Sequence, residues 1–252
     1  MGVVNITPDS FSDGGRFFDP AAAVAHARRL AEDGADLIDI GGESTRPGAA
    51  SVSENEELRR VLPVLKEISD LCVSVDTRRP RVMQEALQAG ASMINDVDAL
   101  QAPGALAAVA GSDCAVCLMH KKGEPATMQR DPLYDDVVSE VKGFLNQRID
   151  AAKAAGIGAE RIVVDPGFGF GKTVQHNLTL LKNLSKLSGV PILVGLSRKS
   201  TLGKITGRSV EERLAGSLAI ALLALQAGAT ILRVHDVKET RDVIAVWEAT
   251  KA

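Results

Sequence analysis

Long apolar runs are missing from this sequence. None approaches the ~20 residues that a bilayer span requires, so no transmembrane helix is expected. Cysteine is sparse too. Three residues are too few for a disulfide framework, and with no secretory signal pattern opening the chain the expectation is a reducing, cytoplasmic setting. Charge of one sign is not in excess: 29 basic residues face 32 acidic ones, a formal charge of -3, so no global field draws the chain to nucleic acid or to an anionic membrane. Aromatic residues number only eight (one Trp, one Tyr and six Phe), so their positions carry information. Composition shifts, linkers and low-complexity tracts are also lacking. A single domain over residues 1–252 is expected, close to the ~250 residues of a barrel of eight β/α units.

What the chain does contain is one pattern, repeated. It opens as GVVNITPDSFSDGG, where an apolar strand at Val3 and Val4 turns polar at Asn5 and enters a run that cannot be a core element. Apolar strands recur in residues 35–40, in CVSV, SMIN and CAVCLM, in residues 161–164, in PILVGL and in residues 230–234, each delivering polar groups at its C-terminal end. Apolar residues at helical spacing predict helices over 20–33, 54–70, 80–88, 103–110, 134–155, 210–227 and 237–251. Asp19 before Pro20 is a start signal, and Gly34, Gly90 and Gly228 are stops. Eight buried strands alternating with helices describe an α/β chain folded as a (β/α)8 TIM barrel, with parallel strands and right-handed crossovers. The first strand begins at once, with nothing ahead of it to cover the barrel floor. Cys114 and Cys117 form a CxxC inside an apolar strand, where residues three apart face opposite sides, so core cysteines are expected rather than a redox or zinc pair.

The strand ends carry the chemistry. In order they present Asn5, Glu43 with Arg46, Asp76, Asn95 with Asp96, His120, Asp165, Arg198 with Lys199, and Arg233 with His235. One Asp after a strand is well explained as the N-cap of the next helix, but eight polar positions on one rim describe an active site, which barrels build on that face. Loops after strands seven and eight are the usual phosphate end, and here they hold Ser197, Arg198, Lys199, Ser200, Arg233 and His235. Asp76, Asn95 and Asp165, expected without a cationic side chain between them, offer acceptors and an amide to a flat heterocycle with N–H donors and a carbonyl. The alternative is a water-mediated network in the barrel core. GFGFGK at 167–172 lacks phosphate-loop spacing; its glycines are read as letting Phe168 and Phe170 approach the rim, where with Phe11 they would wall an aromatic substrate. His26 falls on the helix predicted over 20–33, and His176 is likewise read as a helix residue, outside the rim.

NITPDSFSDGG, DIGGESTRPGA, SVDT, IND, LMH followed by TMQ, DPGFGFGK, SRKS and RVHDV occur in this order, and together they closely resemble the dihydropteroate synthases of bacterial folate biosynthesis. The resemblance runs from Gly2 through essentially the whole chain. It implies a transferase, a homodimer by family habit, that condenses 6-hydroxymethyl-7,8-dihydropterin pyrophosphate with p-aminobenzoate in the presence of Mg2+ and is a target of sulfonamides. By matching position, it implies that Asp76, Asn95, Asp165 and Lys199 hold the pterin, with Asp96 and Met119 among the substrate-binding residues. It implies further that Asn5, Arg233 and His235 bind the pyrophosphate, with Asn5 also a metal ligand. Phe11, Arg46, Pro47, Phe170, Lys199 and Ser200 would form the p-aminobenzoate site, and Asp13 with Thr45 and Arg46 would belong to two loops that close over the reaction. The loop HKKGEPATMQ is more basic after its His than is usual in that family, and STRPGAAS carries no insertion.

Three rivals use the same rim differently. A pterin-dependent methyltransferase barrel has no use for SRKS and the PGFGF loop. A Schiff-base aldolase on Lys199 would be trapped by borohydride with a carbonyl substrate. A non-catalytic pterin binder would have lost Asn5, Arg233 or His235, and all three are present.

Overall fold

The apolar runs become strands of two to five residues in a computed structural model, which describes residues 1–6, 19–44, 51–123, 127–187 and 189–251. They are β1 (Gly2–Asn5), β2 (Ile38–Gly41), β3 (Val73–Asp76), β4 (Met93–Asp96), β5 (Ala115–Met119), β6 (Ile162–Asp165), β7 (Leu193–Val194) and β8 (Ile231–Leu232). β1 to β6 form one parallel sheet in sequence order, and β7 pairs in parallel with β8. Bridges from Val164 to Ile192 and from Gly2 to Val234 join the two sheets into a ring. The N–H of Val3 donates to Val234 O at 3.1 Å and that of Val234 to Met1 O at 2.9 Å, so the first strand closes the ring and leaves no sheet edge among the described residues.

The helices among the described residues are α1 (Pro20–Glu32), α2 (Glu54–Glu67), α3 (Pro80–Gln88), α4 (Ala105–Ala110), α5 (Val137–Ala154), α6 (Val174–Lys182), α7 (Ser200–Thr206), α8 (Leu214–Gln226) and α9 (Val237–Ala249). Asp19 caps α1 as its position suggested, accepting the Ala21 N–H at 2.9 Å. The helix expected over 210–227 is instead a 3-10 turn, Val210–Glu212, followed by α8. Short α7, with the sequence STLGKIT, was not foreseen, since a glycine and three β-branched residues give it weak helix propensity. No helix among the described residues is long and apolar enough to cross a membrane.

Strand alternation sends every second residue into the barrel. At the lower level Met1, Met93, Cys117, Val163 and Leu193 are buried against one another, with Leu37, Ala115 and Ile231 packed beside them. This is the floor. Two residues further along the same strands stand Asp39, Asn95, Met119, Asp165, Gly195 and Arg233. The interior thus changes from apolar to charged within one inward step. Cys117 belongs to the floor and Cys114 to the outer core between sheet and helices; both are free and buried, and burial pushes the Cys117 thiol well above its ordinary value, which disfavours its thiolate.

Candidate active site

The charged layer opens into a cavity of about 660 Å³ at the C-terminal ends of the strands, a size typical of small-molecule sites. Of the residues singled out in the sequence, Asn5, Asp76, Phe170, Lys199, Ser200, Arg233 and His235 line it. Asn95 and Asp165, each 5% exposed, lie among the same buried side chains without lining it. Phe11, Asp13, Thr45, Arg46 and Pro47 fall outside the described residues.

One expectation is overturned at the centre: a cation does stand between the acids. Arg233 donates from Nε to Asp39 Oδ2 at 2.6 Å and from Nη2 to Asp76 Oδ2 at 3.1 Å. Asn95 Nδ2 also reaches Asp39 Oδ2, at 3.4 Å. Alternation continued past β8 explains this, because Arg233 follows Ile231 on the inward side, where Asp39 of β2 and Asp76 of β3 neutralise it and Asp165 adds to them. Asp39 and Asp76, working against burial, hold the guanidinium well above its ordinary pKa. Burial, reinforced by Asp39, raises Asp76 above the usual carboxylate range although Arg233 opposes the shift. Burial likewise raises Asp165, against Lys199.

Sequence reasoning passed over Asp39. The signal was there, an Asp at the centre of the otherwise apolar DLIDI, two residues below the strand end where the search was made. Such an acid inside a buried strand needs a cationic partner.

Lys199 approaches from the other side. Its Nζ donates to Phe168 O at 2.6 Å and lies 4.7 Å from the centroid of the Phe170 ring. Burial lowers its pKa to about 8, opposed by Asp165. The loop it touches is tied at every carbonyl from 167 to 171. Lys172 Nζ donates to Gly167 O at 2.9 Å and Phe170 O at 3.0 Å, Lys199 holds Phe168 O, Gln129 holds Gly169 O, and the Tyr134 hydroxyl donates to Gly171 O at 2.9 Å. The Gly167 and Gly169 amides donate to Asp165 Oδ1 and Asn177 Oδ1, at 2.7 and 3.0 Å. Only glycine serves at 167 and 171: both have positive φ, and a Cβ would stand 1.8 Å from His120 O and 2.1 Å from Lys122 O.

That packing corrects the reading of several rim residues. His120 is buried, with Nδ1 2.9 Å from Lys172 Nζ and its ring edge-on to Phe144; burial, then Lys172, lowers it to about 3, so it is a neutral brace outside the cavity wall. Phe168 does meet the cavity but is fully buried in the outer core, so of the pair Phe170 is the more accessible. Asp96 is a turn residue. Its two oxygens accept the Asp98 and Leu100 amides at 2.7 and 2.8 Å, because it faces outward where its neighbour Asn95 faces inward. Met119 is buried at the end of β5, paired with Asp165 in register and absent from the cavity wall. Arg198 borders the cavity with a positive φ, but its Nε donates to Asp236 Oδ2 at 2.9 Å and so links the loops after β7 and β8. His235 Nδ1 lies 3.1 Å from Ser197 Oγ, which joins the same two loops.

Comparison with known proteins agrees with this geometry. Residues 1–235 match the model of the pterin binding enzyme family. The dihydropteroate synthase of Escherichia coli is 50% identical over 255 residues, spanning 99% of this chain and 90% of that protein. That of Xanthomonas albilineans, solved with 4-aminobenzoic acid, superposes with a TM-score of 0.94 at 56% identity, covering 100% of this chain and 92% of that one. The same protein solved with 7,8-dihydropteroate gives 0.90 at 52% identity, over 100% and 92%. The Yersinia pestis dihydropteroate synthase, solved as a sulfonamide drug complex, gives 0.94 at 49% identity, over 99% of this chain and 93% of that one. With the family matched over nearly its whole length, the chain belongs to the pterin-binding enzymes and, among them, to the dihydropteroate synthases.

Proposed function

We propose that this chain condenses 6-hydroxymethyl-7,8-dihydropterin pyrophosphate with p-aminobenzoate, releasing 7,8-dihydropteroate and pyrophosphate in the cytoplasm. The observation that carries this reading is that one cavity joins a buried acid cluster, Asp76 above Asp39 with Asp165 nearby, to a cationic and hydroxyl-rich end made by Lys199, Arg233, Ser197 and His235. Pyrophosphate leaves a methylene on an electron-rich ring, so positive charge grows on the heterocycle as negative charge grows on the leaving group. Asp76 and Asp165 stabilise the first, Arg233 and His235 the second, and no covalent enzyme intermediate is needed. Lys199 and the Phe170 ring stand where the arylamine would meet the pterin, and Ser200 borders them. The loops that hold Asp13, Thr45 and Arg46 would keep water from capturing the cation in place of the amine.

Mg2+ fits this wall by donor chemistry. Asn5 brings an uncharged oxygen to the cavity shared with Ser197 and His235, and Mg2+ is a hard ion that keeps several waters and takes other ligands from substrate phosphates. Asn5 would be its protein ligand, and the bound ion would neutralise charge on the departing group. A homodimer would form through α8, which has no charged residue yet leaves Leu223 52% exposed, as α9, packed against it, leaves Val246 exposed. Sulfonamides would compete with p-aminobenzoate, and an enzyme uninhibited well above its p-aminobenzoate KM would refute that.

The decisive assay is pyrophosphate release from the pterin substrate with Mg2+, with and without p-aminobenzoate, in wild type and Asp165→Ala. Release that needs both additions, yields dihydropteroate and vanishes in the variant supports the reading. Tight pterin binding without release would make the chain a non-catalytic binder, and absence of pterin binding would overturn the assignment.

A further inference from the structure

Asp39 is fully buried, while its neighbours in the charged layer are not: the Asp76 side chain is 13% exposed and that of Arg233 21%. A ligand entering the cavity can therefore reach Asp76 and Arg233 but not Asp39. Nε and Nη2 lie along one edge of a guanidinium and ordinarily grip a single carboxylate with two parallel bonds. Here that fork is split, with one prong on Asp39 Oδ2 and the other on Asp76 Oδ2. The second oxygen of Asp39, Oδ1, is buried and has no hydrogen-bond partner among the described residues. A buried, unsatisfied carboxylate oxygen beside a half-engaged guanidinium is costly unless another arrangement uses it.

We propose that Asp39 is a positioning residue for the condensation: it anchors Arg233 by Nε while Nη2 exchanges between Asp76 in the empty pocket and Asp39 Oδ1 when a heterocycle takes Asp76. This rests on the pterin reading above. In the empty pocket Arg233 fills the place of the ring's N–H donors and neutralises Asp76. When the ring arrives, its donors replace Nη2 at Asp76, and the fork closes on both oxygens of Asp39. The number of satisfied acceptors rises by one, so the exchange offsets part of the cost of uncovering Asp76. Arg233 stays at the cavity wall, held at one edge and free at the other to face the leaving group. Asn95, whose amide also touches Asp39 Oδ2, is kept in the same plane of contacts.

The test is a double-mutant cycle with a spectroscopic check. Asp39→Asn keeps one acceptor oxygen and the shape but removes the second seat. Its KM for the pterin pyrophosphate should rise and its kcat fall, together lowering kcat/KM about tenfold to a hundredfold, while the KM for p-aminobenzoate stays put. In an Arg233→Met background the same substitution should cost nothing further. Equal losses in both backgrounds, or a shift in p-aminobenzoate KM alone, would overturn the proposal. The wild-type protein supplies a second measurement that needs no variant to fold: nitrogen-15 spectra of Arg233 in titration with 6-hydroxymethylpterin. The Nε resonance should keep its hydrogen-bonded shift while the Nη2 resonance moves; an Nε signal that falls into the solvent-exposed arginine envelope excludes the anchor. A wild type that binds pterin and shows this exchange but releases no pyrophosphate would sink the synthase reading and leave Asp39 in place. Normal turnover without the exchange would do the reverse.

Discussion

Two layers of side chains share the inside of this barrel, a single inward step apart, and they obey different rules. The floor of Met93, Cys117, Val163 and Leu193 is dry, uncharged and satisfied by contact alone. The layer above it, Asp39, Asp76, Asn95, Asp165, Lys199 and Arg233, concentrates charge in a space nearly as enclosed. β4 and β6 contribute to both, Asp39 and Arg233 follow Leu37 and Ile231, which pack beside the floor, and Lys199 reaches in from the loop after β7. The comparison teaches that a strand need contribute only one inward residue to chemistry, because two residues earlier the same backbone already serves packing. It also shows what the mouth costs: carboxyls raised and an ammonium lowered by burial, each state tolerable only because an opposite charge stands beside it.

Removing a charge from the upper layer should separate function from stability most sharply. Asp165→Asn is expected to lower turnover by ~10²- to 10³-fold while leaving the thermal midpoint unchanged or higher, as calorimetry beside the pyrophosphate assay would show. A midpoint that collapsed with activity would mean that the two layers are one. The converse variant lies in the floor. Leu193→Ala should cost ~2–5 kcal/mol in urea unfolding, with kcat per folded molecule unchanged.

Lys199 sharpens the comparison through pH. Its ammonium, lowered to about 8, carries its charge below that pH and loses it above, so kcat/KM should fall on the alkaline side by about tenfold per pH unit. In Lys199→Arg the alkaline limb should move up by more than a unit, whatever the level of the plateau. Lys172 tests the brace rather than the mouth. Burial lowers it to about 7, so between that value and its ordinary one near ~10.4 the unfolded chain binds the extra proton and stability rises with pH. Lys172→Met should flatten that rise in unfolding measurements across pH 7 to 10. The smallest effect concerns neither layer: Leu223→Glu should convert the proposed dimer to monomer in sedimentation while changing unfolding free energy by no more than ~0.5 kcal/mol.

Periodicity made most of this legible in advance. Eight apolar runs each ending in a polar residue are enough to specify the barrel and its working face, because alternation and the βαβ crossover leave few other solutions. Helix ends were less accurate. The helix expected over 134–155 starts at Val137, where Asp136 caps it through the Val138 amide, a competition among nearby acids that spacing alone does not decide. The pairing of Arg233 with Asp39 was hidden for another reason: the two stand 194 residues apart, and only closure of the ring brings them together. Asn95 and Asp96 show the remaining limit. As neighbours they were read as one site, yet the pleat sends one inward to Asp39 and the other to a turn.

The loop from Gly167 to Gly171 has a kinetic consequence. Every carbonyl in it is held by a side chain, two by the adjoining Lys172 and three by Gln129, Tyr134 and Lys199 from elsewhere in the fold, and the amides of Gly167 and Gly169 are held by Asp165 and Asn177. Opening it requires breaking contacts with four separate stretches of chain at once. Its amide protons should therefore exchange with solvent at the slow pace of the strand that precedes it, so that in this part of the barrel mouth a loop by shape behaves as core by lifetime.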